Sequence, residues 1–172
     1  MLICCRTNHD RSITYHQNLI EALPSIRSGE GGEVNIKTSQ NIVIPMTRLQ
    51  SLFHHKTQKI LNVYCTAGYP LLDSTLQVMQ SLEANGADII ELGMPYSDPL
   101  ADGPVIQNSG MIALHNGMTI ATLFTQLKTL RLSPQNGGIG DTLPVILMGY
   151  MNPVLQYGFE KFCADAVAVG ID

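Results

Sequence analysis

From residue 60 to residue 170 this chain alternates short apolar runs of strand length with longer amphipathic segments, and that alternation most limits what it can fold into. The run ILNVYCTA at 60–67 reads as a strand closed by Gly68-Tyr69-Pro70. Asp73 or Ser74 can start a helix whose Leu76, Met79, Leu82 and Ala84 fall at helical spacing, and Asn85-Gly86 stops it. ADIIELG at 87–93 is a second strand. Pro104 suits the first turn of a helix carrying Val105, Ile106, Met111 and Leu114, broken at Asn116-Gly117. Thr119 caps the next helix, with Leu123, Phe124, Leu127 and Leu130 inward. LPVILMGY at 143–150 is a third strand, and a helix through Phe159, Phe162, Cys163, Ala166 and Val167 ends near Gly170. Ile171-Asp172 resembles the opening of a fourth strand. Strand and helix in turn predict a parallel sheet with right-handed crossovers, and mostly apolar strands suit a sheet covered on both faces. An open sheet and a (β/α)8 barrel both satisfy this pattern, but three strands cannot close a barrel, which takes about 250 residues.

The rest of the chain is less periodic. Thr47 can cap a short helix through Leu49, Leu52 and Phe53. Before it, residues 1–45 show only a weak apolar set (Ile13, Leu19, Ile20, Leu23), a loop at 28–33 and a strand-like NIVIP at 41–45. Residues 1–45 are therefore expected to be a poorly ordered extension or the product of a mistaken upstream start, and 46–172 to form the folded, incomplete domain. With 45% hydrophobic and 14% charged residues over 172 positions, the composition is that of a globular protein. A net charge of −4 gives no general attraction to nucleic acid or to an acidic membrane surface. The N-terminus lacks the basic-then-apolar layout of a secretory signal, and no apolar run of about 18 residues could span a bilayer. Cys4, Cys5, Cys65 and Cys163 have no redox or zinc spacing, so free thiols in the cytoplasm are expected.

Strand parity selects the candidates for chemistry. Ala87, Ile89, Glu91 and Gly93 share one face and Ile90 and Leu92 the other. In a barrel, Ile90 and Leu92 turn outward to the helices and Glu91 projects inward near the C-terminal mouth, where barrel active sites sit. A carboxylate there must be paired, hydrated or catalytic, because an isolated buried charge is costly. Asp98 and Asp102 follow on a Pro/Gly-rich loop, where capping a turn or helix is the plain role and acid–base or hydrogen-bonding chemistry the sharper one. Asp73 and Asp88 are weaker candidates. Tyr64 shares its face with Asn62 and Thr66, and Tyr150 with Ile146 and Met148, so both rings either approach the mouth and flank a flat ligand or pack in the core. Gln107 lies on the helix after the loop. The five histidines are scattered, and no metal-ligand spacing occurs. Gly137-Gly138-Ile139-Gly140 precedes a strand, so it reads as a surface linker and not as a dinucleotide loop.

At ELGMPYSDPLADGPVIQ, residues 91–107, the sequence resembles the tryptophan synthase alpha chain family, with LNVYCTAGYP at 61–70 and LPVILMGYMNPV at 143–154 in the family's order. The resemblance is taken to run from about Met46 to Asp172, as the N-terminal part of that family. It implies a TIM (β/α)8 barrel, of which this chain carries about the first three β/α units. It implies retro-aldol cleavage of indole-3-glycerol phosphate to indole and D-glyceraldehyde 3-phosphate, a carbon–carbon lyase step in tryptophan biosynthesis. In that resemblance Glu91 is the acid/base that protonates indole C3, and Asp102 hydrogen-bonds the indole N–H. Tyr64 and Tyr150 line the indole site with Gln107 beside it, and the loop around 96–100 communicates with a beta chain. The alpha chain takes no cofactor; pyridoxal phosphate is expected in the partner beta chain, in an αββα assembly. Met46 resembles the usual start, and later phosphate-binding and lid segments have no counterpart here, so this polypeptide itself is expected to be inactive. The rival readings are a vestigial or regulatory half-barrel that binds the beta chain without catalysis, and another phosphate-sugar barrel enzyme.

Overall fold

The computed structural model of the chain describes the backbone of Leu2–Ile3 and residues 46–172. The helix, loop and strand expected within 1–45 lie outside the described residues. The elements run β1 (Leu2–Ile3), α1 (Arg48–His55), β2 (Asn62–Thr66), α2 (Thr75–Ala84), β3 (Ile89–Gly93), α3 (Pro104–His115), α4 (Ile120–Gln126), β4 (Val145–Met148), α5 (Met151–Tyr157) and α6 (Phe159–Ala168). β2, β3 and β4 form a parallel sheet in the order β4-β3-β2, and the two residues of β1 pair antiparallel with Met148 and Leu147 on the far edge of β4. The three parallel strands form a partial, unclosed sheet with flanking helices, as in an incomplete (β/α) barrel.

Register divides the sheet into two chemically different faces. Val63, Ile90 and Val145 align in one row, and Cys65, Leu92 and Leu147 in the next. Ile90, Leu92, Val145 and Leu147 on this face are at most 1% exposed. They pack in one core with Met79 of α2, Leu123 and Phe124 of α4, Val154 of α5 and Phe162 of α6. Each such aliphatic side chain contributes about 1.5–3 kcal/mol when fully buried, so this face holds the sheet to its helices. Burial also pushes the Cys65 thiol up to about 12, far above the range in which it would be nucleophilic. The opposite face aligns Tyr64 with Glu91 and Ile146, and Thr66 with Gly93 and Met148. Parity alone predicted this split.

Local signals acted where the sequence placed them. Thr47 closes a capping box with Gln50 at the start of α1, and Thr119 accepts from the Thr122 N–H at the start of α4. Leu123, Phe124, Leu127 and Leu130 are buried as expected. Three expectations change. The helix carrying Val105 and Met111 turns them outward, 80% and 66% exposed, and buries the small Ser109, Gly110 and Ala113 instead, because α3 packs close to the strands. The stretch 137–140 is not a surface linker: Ile139 is fully buried, and its N–H and that of Gly140 bond the carbonyls of Leu130 and Leu132. Gly138 permits this, since a Cβ there would sit 2.2 Å from the Leu132 carbonyl oxygen. Finally, α5 was not expected; Pro153 lies in its first turn, where its missing N–H costs nothing, and Gly158 at φ 97° separates it from α6.

At the N-terminal end of the sheet, Asp172 ties distant segments together. Its carboxylate is 2% exposed and accepts from Arg48 of α1, from Arg131, and from the Val145 N–H, at 2.9, 2.9 and 3.0 Å. Its own N–H bonds the Val145 carbonyl. Arg131 also donates to the carbonyls of Leu143 and Gly170. Removing one partner of a buried ion pair leaves the others uncompensated and costs about 3–5 kcal/mol, less where a partner reaches water as Arg48 does. We therefore expect Asp172→Ala to destabilise the fold by about 3 kcal/mol in urea denaturation; a loss below about 1 kcal/mol would show the carboxylate to be dispensable.

Candidate functional site

The polar face of the sheet runs out at its C-terminal end into loops that enclose a cavity of about 390 Å³. That is the size range of small-molecule sites, roughly 300–1,000 Å³. Strand ends, the loop after β3 and the start of α5 all contribute, with Tyr64, Met94, Asp102, Ile106, Met148 and Tyr150 among the lining side chains. Of the residues singled out from the sequence, Tyr64, Asp102 and Tyr150 thus meet around one space.

Tyr64 is set by its neighbours. It points along the polar face toward Gly93 on the adjacent strand, where an added Cβ would lie 2.1 Å from its hydroxyl oxygen and 2.5 Å from Cζ. Gly93 is therefore what lets the ring lie across β3. The Thr66 hydroxyl donates to the Tyr64 oxygen at 3.2 Å. Burial raises the Tyr64 phenol above its ordinary range; the Thr66 hydrogen bond opposes that shift, while the Asp102 and Glu91 charges add to it. The phenol therefore stays protonated through the neutral range.

Glu91 and Gln107 stand differently. Glu91 is half-buried beside Tyr64 in the same row of the sheet, with Asn62 Nδ2 3.4 Å from its carboxylate, and it is not among the cavity-lining residues. Gln107 does not line the cavity either. Its amide donates to the carbonyls of Pro99 and Asp102 at 3.2 and 2.8 Å, which braces the loop from α3. That loop is also held from β4 and α5. The Ala101 N–H donates to the Tyr150 hydroxyl at 2.9 Å, the Tyr96 and Tyr150 rings lie 5.0 Å apart, and Asn152 donates to the Tyr96 hydroxyl at 2.9 Å. Tyr150 thus both faces the cavity and anchors the segment bearing Asp102.

Sequence reasoning missed Thr66, Ser109, Tyr96 and Asn152 as parts of this site. Thr66 could have been found, since it shares Tyr64's parity; the others are brought in by tertiary packing alone. Among the described residues, no group of three His, Cys, Asp or Glu side chains could hold a metal ion, and no helix is long and apolar enough to cross a membrane.

Comparison with known proteins agrees with this geometry. The sequence model of the tryptophan synthase alpha chain family matches residues 51–172. The tryptophan synthase alpha chain of Flavobacterium johnsoniae is 54% identical over 115 residues, 67% of this chain and 43% of that protein. That of Parabacteroides distasonis is 49% identical over 127 residues, 74% of this chain and 47% of that protein. The crystal structure of tryptophan synthase subunit alpha from Legionella pneumophila superposes with a TM-score of 0.67 at 37% identity, covering 74% of this chain and 48% of that one. The chain thus spans less than half the length of these relatives. The family model corrects the extent of the resemblance: the region it matches, residues 51–172, is the C-terminal majority of the chain, not an N-terminal fragment.

Because Gly93 leaves room for the Tyr64 ring, we expect Gly93→Ala to force the ring off β3. The cost of such overpacking is about 1–3 kcal/mol. Urea denaturation together with the Tyr64 ring resonances checks this; unshifted Tyr64 resonances would contradict it.

Proposed function

The chain belongs to the tryptophan synthase alpha chain family, and from that premise we propose that its cavity is the indole-binding part of a lyase site. The reaction proposed is cleavage of indole-3-glycerol phosphate to indole and D-glyceraldehyde 3-phosphate. The observation that carries it is the meeting of Tyr64, Asp102 and Tyr150 around one small-molecule cavity at the C-terminal ends of parallel strands, with Glu91 in the adjoining row.

In this account the indole ring lies against the Tyr64 and Tyr150 rings, which supply apolar contact on a flat ligand. Asp102 accepts the indole N–H and stabilises the positive charge that develops on the ring when C3 is protonated. Glu91 gives that proton. The bond from C3 to the glycerol side chain then breaks, its electron pair returns to the ring, and the side-chain hydroxyl yields its proton to the Glu91 carboxylate as the aldehyde forms. Gln107 acts through the loop that carries Asp102.

The partner we propose is a tryptophan synthase beta chain, with pyridoxal phosphate in that chain. The exposed Leu100 on the loop and the outward Val105 and Met111 of α3 supply an apolar surface for it. The cytoplasm is the compartment proposed, in keeping with the free Cys65 thiol.

For the 172 residues by themselves we propose no measurable turnover, because three parallel strands leave the sheet unclosed around Glu91 and acid–base groups that are not held in place lose most of their rate. The test uses two polypeptides: residues 1–172, and a chimera that adds the part of the Flavobacterium johnsoniae relative lying outside its match to this chain. Indole release from indole-3-glycerol phosphate is expected from the chimera only. Glu91→Gln in the chimera should lower kcat about 10²- to 10⁴-fold with modest change in substrate binding. Unchanged turnover in that variant would overturn the acid–base role.

A further inference from the structure

Behind Tyr64 lies a hydrogen-bonded chain that the proposed reaction does not use. Ser109 of α3 and Thr66 of β2 are both buried, 9% and 7% exposed, and their hydroxyl oxygens are 2.7 Å apart. Thr66 in turn donates to the Tyr64 hydroxyl. We propose that Ser109 and Thr66 are positioning residues that orient the Tyr64 hydroxyl so that its proton is offered to the cavity, making Tyr64 a selective donor to an oxygen acceptor on the ligand.

The argument is a proton count. A serine or threonine hydroxyl carries one proton, and a phenol carries one. With the Thr66 proton given to Tyr64, the Thr66–Ser109 contact requires that Ser109 donate to Thr66. The Tyr64 proton is then consumed by neither, and the phenol faces the cavity as a donor. Ser109 has a second acceptor within reach, the Ile106 carbonyl at 3.0 Å. The Thr66 contact is the shorter of the two, 2.7 Å against 3.0 Å, and has the usual length of an O–H···O bond. Giving the Ser109 proton to Ile106 would reverse the whole chain and turn Tyr64 into an acceptor. The Asp102 charge opposes that reversal: it acts on the Tyr64 hydroxyl from the cavity lining, and its negative potential favours the positive end of the O–H dipole on the open side.

The ligand class follows, and here the inference rests on the proposed function. Indole offers only a donor N–H and so gains nothing from the Tyr64 hydroxyl. An indole bearing a hydroxylated side chain brings oxygen acceptors and gains a hydrogen bond. Ser109 touches no ligand in this account, so its influence is felt only through the proton it sets.

The test uses the 172-residue chain with two probes, indole and indole-3-glycerol, titrated by NMR against the unaltered protein, Ser109→Ala and Thr66→Val. Both variants should bind indole-3-glycerol about 3- to 10-fold more weakly, because the Tyr64 proton is no longer held toward the ligand, and indole within about twofold of the unaltered chain. The Tyr64 ¹³Cζ resonance should also move in both variants before any probe is added, a signature that loss of packing alone would not give. Equal weakening of both probes, no weakening, or tighter binding of indole-3-glycerol would overturn the inference and leave the proposed function standing. Failure of the unaltered chain to bind either probe would overturn the proposed function and this inference with it.

Discussion

Everything in this molecule rests on the two-residue period of its three parallel strands. One face of side chains, Ile90, Leu92, Val145 and Leu147, is sealed under the helices, and that burial fixes register. A slip of one residue would turn the whole apolar set to the opposite face. Once the register is fixed, Tyr64 must stand beside Glu91, and Thr66 beside Gly93. The polar face is therefore a consequence of the apolar one, and the chemistry inherits its alignment from the core.

The loop after β3 depends on that alignment in turn. It carries Asp102 but has little core of its own: Leu100 at its tip is 84% exposed. What fixes it is polar and comes from both sides, Gln107 from α3 and Tyr150 from the end of β4. Tyr150 is thus placed by the strand, and the loop is placed by Tyr150. Such an arrangement positions a carboxylate without burying the loop, and it leaves an exposed apolar tip for contact with another surface.

How much of this was legible in the sequence varies with the range of the interaction involved. The three parallel strands, their faces and the caps at Thr47 and Thr119 follow from local pattern and were read correctly, whereas Ile171-Asp172 is not a strand. The burial of Ile139 and the outward turn of Val105 were not, because each is decided by what packs against it and not by spacing along the chain. α5 was not foreseen; Pro153 falls in its first turn, where it is harmless. For the site, Tyr64, Asp102 and Tyr150 were selected by parity and loop position, and they line one cavity. Gln107 was selected too, but its amide is spent on the loop backbone. Ser109 gave no sequence signal at all: a serine among the apolar residues of α3 looks incidental until the fold sets it 2.7 Å from Thr66.

The central claim is that the ends of β2 and β4 and the loop after β3 form one binding site for an indole-bearing ligand. The most direct measurement is an NMR map of the chain titrated with indole, following the resonances of Tyr64, Met148, Tyr150 and the backbone of Ala101 and Asp102. The account predicts that these shift together along one saturating curve while the sealed helix side, Leu92 and Phe162 for example, stays still. Shifts that cluster away from these residues, or that fail to saturate in common, would contradict it.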